Sequence, residues 1–517
     1  MKSASVWLKW GPAILAVCVT VAYSNSFRGT LIFDDARRIE SAARHVAHAS
    51  WLSAVTEPRG LVDLTFALNR RIGGNKAADY HAVNLLLHLA AVLLLYGLVR
   101  RCLRQAGAGA AVGRCTALAA ALLWGVHPLT TSAVTYVAQR YEVMMSVFYL
   151  LVLYAVVRSA GSNNARSVRT WAVVAVLACM AGMLCKEVMV TAPLAAILVD
   201  RLVADAGGSN AAIRRRWPLY LGLAASWVIL AAMMTLKAAN PAEVIAYEGV
   251  FSLRYAGYGL RAVARYMQLV VWPRGLCFDY GWGGALGPAR LVLPAVFTGG
   301  LALVTAAGLL RRYAWAVPPS LFFLILAPTS SIIPRPDPIM EYRAYLPSAA
   351  LVVWLVLGAG WMLSKYAAGD ARRRLGVQVG GLFVLVTASV LLVAASRDRN
   401  RDYHSPRALW RASVECVPDN ARAWLGLGAA QLHDQEAEAA RRSFQRAVAL
   451  TENFGARPYA RTVRAQALNN LGVIAFRQDR FREAHAYFSA ALDLAPREHT
   501  TARRNLRKAQ SKLERQP

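Results

Sequence analysis

Eleven apolar blocks dominate the first 400 residues, at approximately 7–24, 79–99, 115–128, 141–157, 170–185, 188–204, 218–236, 291–310, 313–333, 346–363 and 376–396. A helix needs about 20 apolar residues to cross the hydrocarbon of a bilayer, and most of the blocks come near that length. Pro and Gly fall inside several of them, which membrane helices tolerate because neighbouring helices and polar side chains take up the freed backbone groups. The chain is 56% hydrophobic over 517 residues, an excess that a soluble domain does not carry. The expected architecture is therefore all-α, with a polytopic membrane domain of about eleven transmembrane helices over residues 1–396. The first block has a basic flank, Lys2 and Lys9, and would pass for a secretory signal. No small-residue cleavage site follows it, so it is read as a retained first helix.

Charge orients the spans. The net charge is +30, yet a nucleic-acid site would need those charges on one soluble face. Many of them instead punctuate the apolar blocks: Arg100–Arg101–Arg104, Arg158, Arg214–Arg215–Arg216, Arg311–Arg312 and Arg372–Arg373–Arg374. With the N-terminus in the cytoplasm and simple alternation, each of these clusters lies in an inside loop, as the positive-inside rule requires. Residues 25–78 then form the first extracytoplasmic loop, and everything after 397 is extracytoplasmic too. Residues 255–273 would break the alternation if they crossed. They are amphipathic, with Arg261 and Arg265 in the middle, and are read as an interfacial or re-entrant helix on the outer side. The seven cysteines form no CxxC, zinc pattern or disulfide framework. Cys277 and Cys416 both fall on the outer side, and the sequence leaves open whether they pair.

At Arg397–Asp398–Arg399 the chain becomes charged and repetitive, so 397–517 is read as a second, soluble domain. Trp424, Leu427, Gly428, Ala440, Phe444 and Ala447 sit at offsets 0, 3, 4, 16, 20 and 23. Leu468, Leu471, Gly472, Ala484, Phe488, Ala491 and Pro496 repeat those offsets and add 28. This is the tetratricopeptide pattern, a helix–turn–helix unit of about 34 residues. Its small residues let two antiparallel helices approach, its large ones fill the gap, and Pro stops the second helix. Residues 451–466 read as an insertion, 405–418 as half of a degenerate earlier repeat, and 499–514 as a polar capping helix. Such α-solenoids hold peptides or proteins rather than perform chemistry.

Charges kept beside spans cost about 2.5–3.5 kcal/mol each at mid-span on insertion scales, so each asks for a reason. Asp34–Asp35, about ten residues beyond the first span, suits a general base or a divalent cation, and equally a helix N-cap. His81, Asn84 and His88 share one helix face, which fits interhelical hydrogen bonds better than zinc, since no third ligand is near. His127, Arg140 and Glu142 frame the outer loop between spans three and four, as interface anchors or as pocket residues. Lys186 and Glu187 form a two-residue turn in which they cannot face each other, so each needs a partner elsewhere. Asp279 follows a Trp–Pro stop. Glu341, Tyr342, Arg343 and Tyr345 precede span ten. Arg343 has the planar fork that suits a phosphate, unless it merely snorkels.

These residues carry a resemblance. FDD at 33–35, HAVNLLLH at 81–88, GVHPLTTSAVTYVAQRYE at 125–142, LCKE at 184–187, WPRGLCFDY at 272–280 and EYRAYLP at 341–347 stand in order with similar gaps. The chain thereby resembles the transmembrane and tetratricopeptide-repeat containing O-mannosyltransferase family. More distantly it is similar to the protein O-mannosyltransferases and other glycosyltransferases of the GT-C fold. The resemblance also implies eleven spans with the N-terminus inside and the repeats outside. It departs in having two clear repeats where animal members carry long arrays. That short array and the basic, Ala-rich composition fit a bacterial inner-membrane protein whose outer side is the periplasm.

The resemblance implies a polyprenyl-phosphate-linked sugar as donor substrate, no other cofactor and no metal. It implies Ser or Thr hydroxyls of a polypeptide as acceptor, held by the repeats, and inversion at the sugar. The base would be Asp34 with Asp35 beside it, and Arg343 would face the departing phosphate, with Arg140 and Lys186 as further candidates. The same fold acting on a lipid or a surface glycan, or a membrane scaffold or transporter without catalysis, are the alternatives.

Overall fold

In the computed structural model, residues 8–48, 57–204, 214, 216–238, 253–282, 289–331, 337–367, 370–452, 458–494 and 500–515 are described. Lys2, Arg215 and Pro496, used in the sequence argument, lie outside these residues. The described residues are helical, with turns and no strand. They divide into two compact units. The first is Met1–Leu276 with Ala285–Tyr403, and the second is Cys277–Gly284 with His404–Pro517.

In the first unit every apolar block holds a helix: α1 (Gly11–Tyr23), then, after α2 (Asp35–His48) and α3 (Gly60–Gly73), α4 (Ala77–Gln105), α5 (Ala110–Gly125), α6 (Arg140–Ala160), α7 (Ala165–Met183), α8 (Ala192–Val199), α9 (Trp217–Ala238), and, beyond α10 (Leu253–Val271), α11 (Ala289–Leu310), α12 (Val317–Leu326), α13 (Tyr345–Tyr366) and α14 (Ala371–Asp402). Among the described residues six are long and apolar enough to cross a membrane, or seven if α5 and the bent segment after it count as one span. The expected count of eleven is therefore not reached by this measure. The reason is length: the 13 residues of α1 rise about 20 Å, short of a hydrocarbon core of about 30 Å, and α8 and α12 are shorter still. Phe383 is 71% exposed and Leu391 64% on α14, apolar exposure that suits lipid rather than water. The chain is a multi-pass membrane protein.

The α10 segment is helical but not among the candidate spans. Tyr255, Tyr258, Ala262, Tyr266 and Leu269 are buried at helical spacing, which is the one-sided pattern that its sequence showed.

The core of the first unit is tied by polar groups that its apolar packing would otherwise strand. His88 on α4 bonds the Tyr345 hydroxyl at 2.7 Å and donates to the Gly125 carbonyl at 2.9 Å. Trp124 donates to the Tyr345 carbonyl at 3.0 Å. The end of α14 closes on the same region: Asn400 donates to the Ala22 carbonyl at 3.1 Å and accepts from Thr135 at 2.7 Å, and Ser396 donates to the Val126 carbonyl at 2.7 Å. The basic ends meet one another elsewhere, as Arg101 donates to the Tyr154 hydroxyl at 3.3 Å and Arg216 pairs with Asp200.

The second unit begins at His404 rather than at 397, because α14 runs on to Asp402. It contains α15 (Pro406–Cys416), the pairs α16 (Ala421–His433) with α17 (Ala437–Glu452) and α18 (Pro458–Arg477) with α19 (Phe481–Leu494), and α20 (Thr500–Leu513). Gly428 and Gly472 are where the helices of each pair touch. A Cβ there would stand 2.7 Å from Phe444 and 2.6 Å from Phe488, so only glycine fits. The expected insertion at 451–466 is mostly helix, since α18 starts at Pro458 and is 20 residues long. Residues 277–282 pack into this unit as well: Phe278 meets Trp410 edge to face at 5.6 Å and Trp282 lies on Tyr459 at 4.2 Å. All seven cysteines are free, Cys277 and Cys416 included.

Candidate active site

The acidic pair opens α2. Phe33 before it takes φ 47, a left-handed conformation that costs a non-glycine residue about 1–3 kcal/mol, and this turn sends Asp34 and Asp35 to different surroundings. Asp35 is fully buried. One oxygen accepts the Ile32 amide at 2.9 Å and the other the Ala138 amide at 2.6 Å. Burial outweighs both bonds and pushes its carboxyl up to about 8. The Asp34 side chain is 26% exposed and, among the described residues, pairs only with Arg37 in the next turn. Tyr136 is close enough to both aspartates and to Tyr342 to feel their charges. Burial first, then the charges of Asp35 and Asp34, hold its phenol well above the usual range, and the Asp34 backbone bonds its hydroxyl.

A second group of charges borders this one. Lys186 pairs with Glu142, their side chains 8% and 4% exposed, and its ammonium stands 5.3 Å from the Tyr342 ring. Glu187 turns the other way and pairs with Arg59 at 3.8 Å, so the two residues of the turn do have separate partners. Arg59 also covers the Tyr141 ring at 5.1 Å, and the Tyr141 hydroxyl donates to Asp63 at 2.6 Å. Arg343 follows Tyr342. Its Nη1 donates to the carbonyls of Thr329 at 3.4 Å and Pro338 at 3.3 Å. Among the described residues its Nη2 and Nε have no hydrogen-bond partner.

Other residues singled out by sequence are held by structural bonds. Arg140 is fully buried over the Phe66 ring, and four of its bonds go to Asn84, Thr65, Asn69 and the Tyr80 carbonyl. These bonds knit α3 to α4. His127 donates to the Val270 carbonyl at 3.2 Å and accepts the Leu129 amide at 3.2 Å, so it caps a turn and ties it to α10. Tyr345 is core, bonded to His88. Glu341 is buried with Arg399 at 3.6 Å. His81 is buried with Nε2 against the backbone of Gly29. Asp279 belongs to the second unit, where Arg422 grips it. No group of three metal-ligating side chains occurs among the described residues.

Sequence reasoning passed over Arg59 and Tyr136. The signal for Tyr136 was its place in the stretch 125–142. Arg59 had only a Pro–Arg–Gly turn, and its Glu187 partner is far along the chain.

Comparison with known proteins agrees with this division. The family model for dolichyl-phosphate-mannose-protein mannosyltransferases matches residues 61–235, and tetratricopeptide-repeat models match 394–460 and 465–498. The chain is 29% identical over 343 residues to a protein O-mannosyl-transferase of Drosophila melanogaster, Tmtc1, covering 56% of this chain and 37% of that one. It is 25% identical over 486 residues to human protein O-mannosyl-transferase TMTC4, covering 81% of this chain and 63% of that one. The chain thus spans less than two thirds of the length of these relatives. Among solved structures, ArnT from Cupriavidus metallidurans bound to undecaprenyl phosphate has a TM-score of 0.43 at 15% identity, over 81% of this chain and 80% of that one. A membrane part that matches a mannosyltransferase family model, followed by matches to tetratricopeptide repeats, makes this chain similar to the protein O-mannosyl-transferases of the TMTC type.

Proposed function

We propose that this chain transfers a sugar from a polyprenyl-phosphate-linked donor to Ser or Thr hydroxyls of polypeptides on the outer face of its membrane. The observation that carries this reading is the difference between the two aspartates. Asp35 is buried and committed to two backbone amides, which leaves Asp34 as the accessible carboxylate on a rigid, strained turn.

Asp34 accepts the proton of the acceptor hydroxyl as its oxygen attacks the anomeric carbon. The bond from that carbon to the phosphate oxygen breaks on the opposite face, so the configuration inverts. Negative charge gathers on the departing lipid phosphate, and the unbonded Nη2 and Nε of Arg343 are the donors offered to it. Asp35 acts through Asp34, as a positioning residue. A hydroxyl is a weak nucleophile at neutral pH, so holding it in line supplies much of the acceleration. Mannose, a bacterial inner membrane with the N-terminus inside, and periplasmic repeats that hold the acceptor complete the proposal, and the names of the relatives support the sugar.

The test is transfer by the full chain in lipid nanodiscs, from a radiolabelled polyprenyl-phosphate mannose to Ser- and Thr-bearing peptides. Asp34→Asn is expected to slow transfer by about 10²–10⁴-fold while donor binding stays. Undiminished transfer by Asp34→Asn would remove that residue from the reaction, and label appearing only on lipid or glycan would reassign the acceptor.

A further inference from the structure

The last helix of the second unit, α20, has two faces of different chemistry. Leu506 and Ala509 pack inward, with Ala475, Ala484 and Phe488 in one cluster, and Ala502 is buried as well. Asn505 fixes the rotation by donating to Asn469 at 3.1 Å. The outward face is set by that choice. Arg503, Arg504, Arg507, Lys508 and Ser511 fall at i, i+1, i+4, i+5 and i+8, one side of a helix. They are exposed and line a shallow groove with Thr500.

A helix that only keeps a solenoid soluble mixes both signs of charge, which gains i,i+4 pairs and avoids a one-signed field. In α20 the sequence TTARRNLRKAQSKL holds five cations and no carboxylate. Among the described residues no ion pair involves Arg504, Arg507 or Lys508. Like charges set side by side without counter-ions lower the stability of the free helix, so the face is complementary to something anionic.

We infer that the Arg503–Ser511 face of α20 is a docking surface for an anionic phospholipid bilayer. The unit that carries it continues directly from α14, a candidate membrane span that ends at Asp402. A bilayer is therefore held near the repeats at high effective concentration, where even a weak surface engages. Lys and Arg side chains at an anionic surface each add to the attraction, so Arg504, Arg507 and Lys508 together form a usable contact. The face lacks large apolar side chains, so the contact is with headgroups, reversible and salt-sensitive, without insertion.

The experiment uses the full chain with a solvatochromic amino acid at position 511, in nanodiscs of phosphatidylcholine alone or with about a third phosphatidylglycerol. Anionic discs are expected to shift the emission to the blue and to cut quenching by aqueous iodide roughly in half. Molar salt should reverse both, and the triple change Arg504→Gln, Arg507→Gln and Lys508→Gln should abolish both. Hydrogen exchange in α18 and α19 checks that this variant keeps its fold. Equal emission in the two discs overturns the inference, as does a shift that survives the triple change. A response to added polyglutamate but not to anionic lipid also overturns it, and would make the surface a protein-binding one.

Discussion

Asp35 reaches across 103 residues to accept the Ala138 amide at 2.6 Å, and this bond makes the segment after α1 part of the packed unit. The carboxyl is raised to about 8 from an ordinary 3.8, first by burial. A folded-state value above the unfolded one means that the folded chain holds the proton more tightly. The stability linked to Asp35 is therefore full below about pH 4 and is lost as pH rises through about 8. The melting temperature of the detergent-solubilised chain should fall between about pH 5 and pH 9, and Asp35→Asn should flatten that slope. Asparagine has one acceptor oxygen where Asp35 uses two, so the variant should be the less stable chain at the acid end, and the gap between the two should narrow as pH rises. An equal slope in both would assign the pH dependence to another group.

Lys186 and Glu142 form a pair whose side chains are 8% and 4% exposed. Removing one partner leaves a buried charge alone, at a cost of about 3–5 kcal/mol. Glu142→Gln and Lys186→Met should each lower thermal stability sharply, and the double change should recover much of the loss. A double-mutant cycle read by melting temperature checks this. Additive losses would mean that the two side chains act independently.

Arg343 tests the phosphate role. Its Nη1 is occupied by the Thr329 and Pro338 carbonyls, while Nη2 and Nε are not. Arg343→Lys keeps the charge but not the fork, and should restore only part of the transfer lost in Arg343→Ala. If the fork acts on the leaving phosphate, kcat falls in both variants and donor binding weakens most in the Ala variant. Full activity in Arg343→Ala would transfer that role to Lys186 or Arg59.

What was legible in the sequence was whatever is local. The apolar blocks gave the helices of the membrane unit, and the offsets of Gly428 to Phe444 and of Gly472 to Phe488 gave the repeats, because a solenoid pairs residues one helix apart. The acidic pair was legible as a pair. Which member is buried was not, because the Ala138 amide that decides it lies on a distant turn. Arg140 was readable as an interface anchor or as a pocket residue, and its partners were hidden for the same reason. Its acceptors Asn84, Asn69 and Thr65 are spread over two other helices, and only packing shows that they converge. Which blocks cross was not legible, because apolar character persists through blocks that the backbone breaks into short helices.

The hardest feature to anticipate was the membership of residues 277–282 in the repeat unit, and it carries the last prediction. Arg422 grips Asp279 from 143 residues away, with Nη2 at 2.7 Å from Oδ1, and Asn420 donates to the Asp279 carbonyl at 2.8 Å. Burial opposes ionisation of Asp279, but the Arg422 guanidinium outweighs it and holds the carboxyl below its ordinary 3.8. A depressed value contributes stability that is present above the unfolded value and is lost as pH falls through the folded one. The segment should therefore loosen only in strong acid in the parent chain. Asp279→Asn leaves Arg422 without its counter-charge, and Arg422→Ala strands a carboxylate that is 3% exposed, so either should cost several kcal/mol, about 3–5 for a buried pair. Limited proteolysis at neutral pH gives the readout: both variants should be cut near Phe278–Trp282 much faster than the parent chain. The double change should be less sensitive than the two effects summed, since the residues act on one bond. If cutting is unchanged in Asp279→Asn, the apolar contacts of Phe278 with Trp410 and of Trp282 with Tyr459 hold the segment without help from the ion pair.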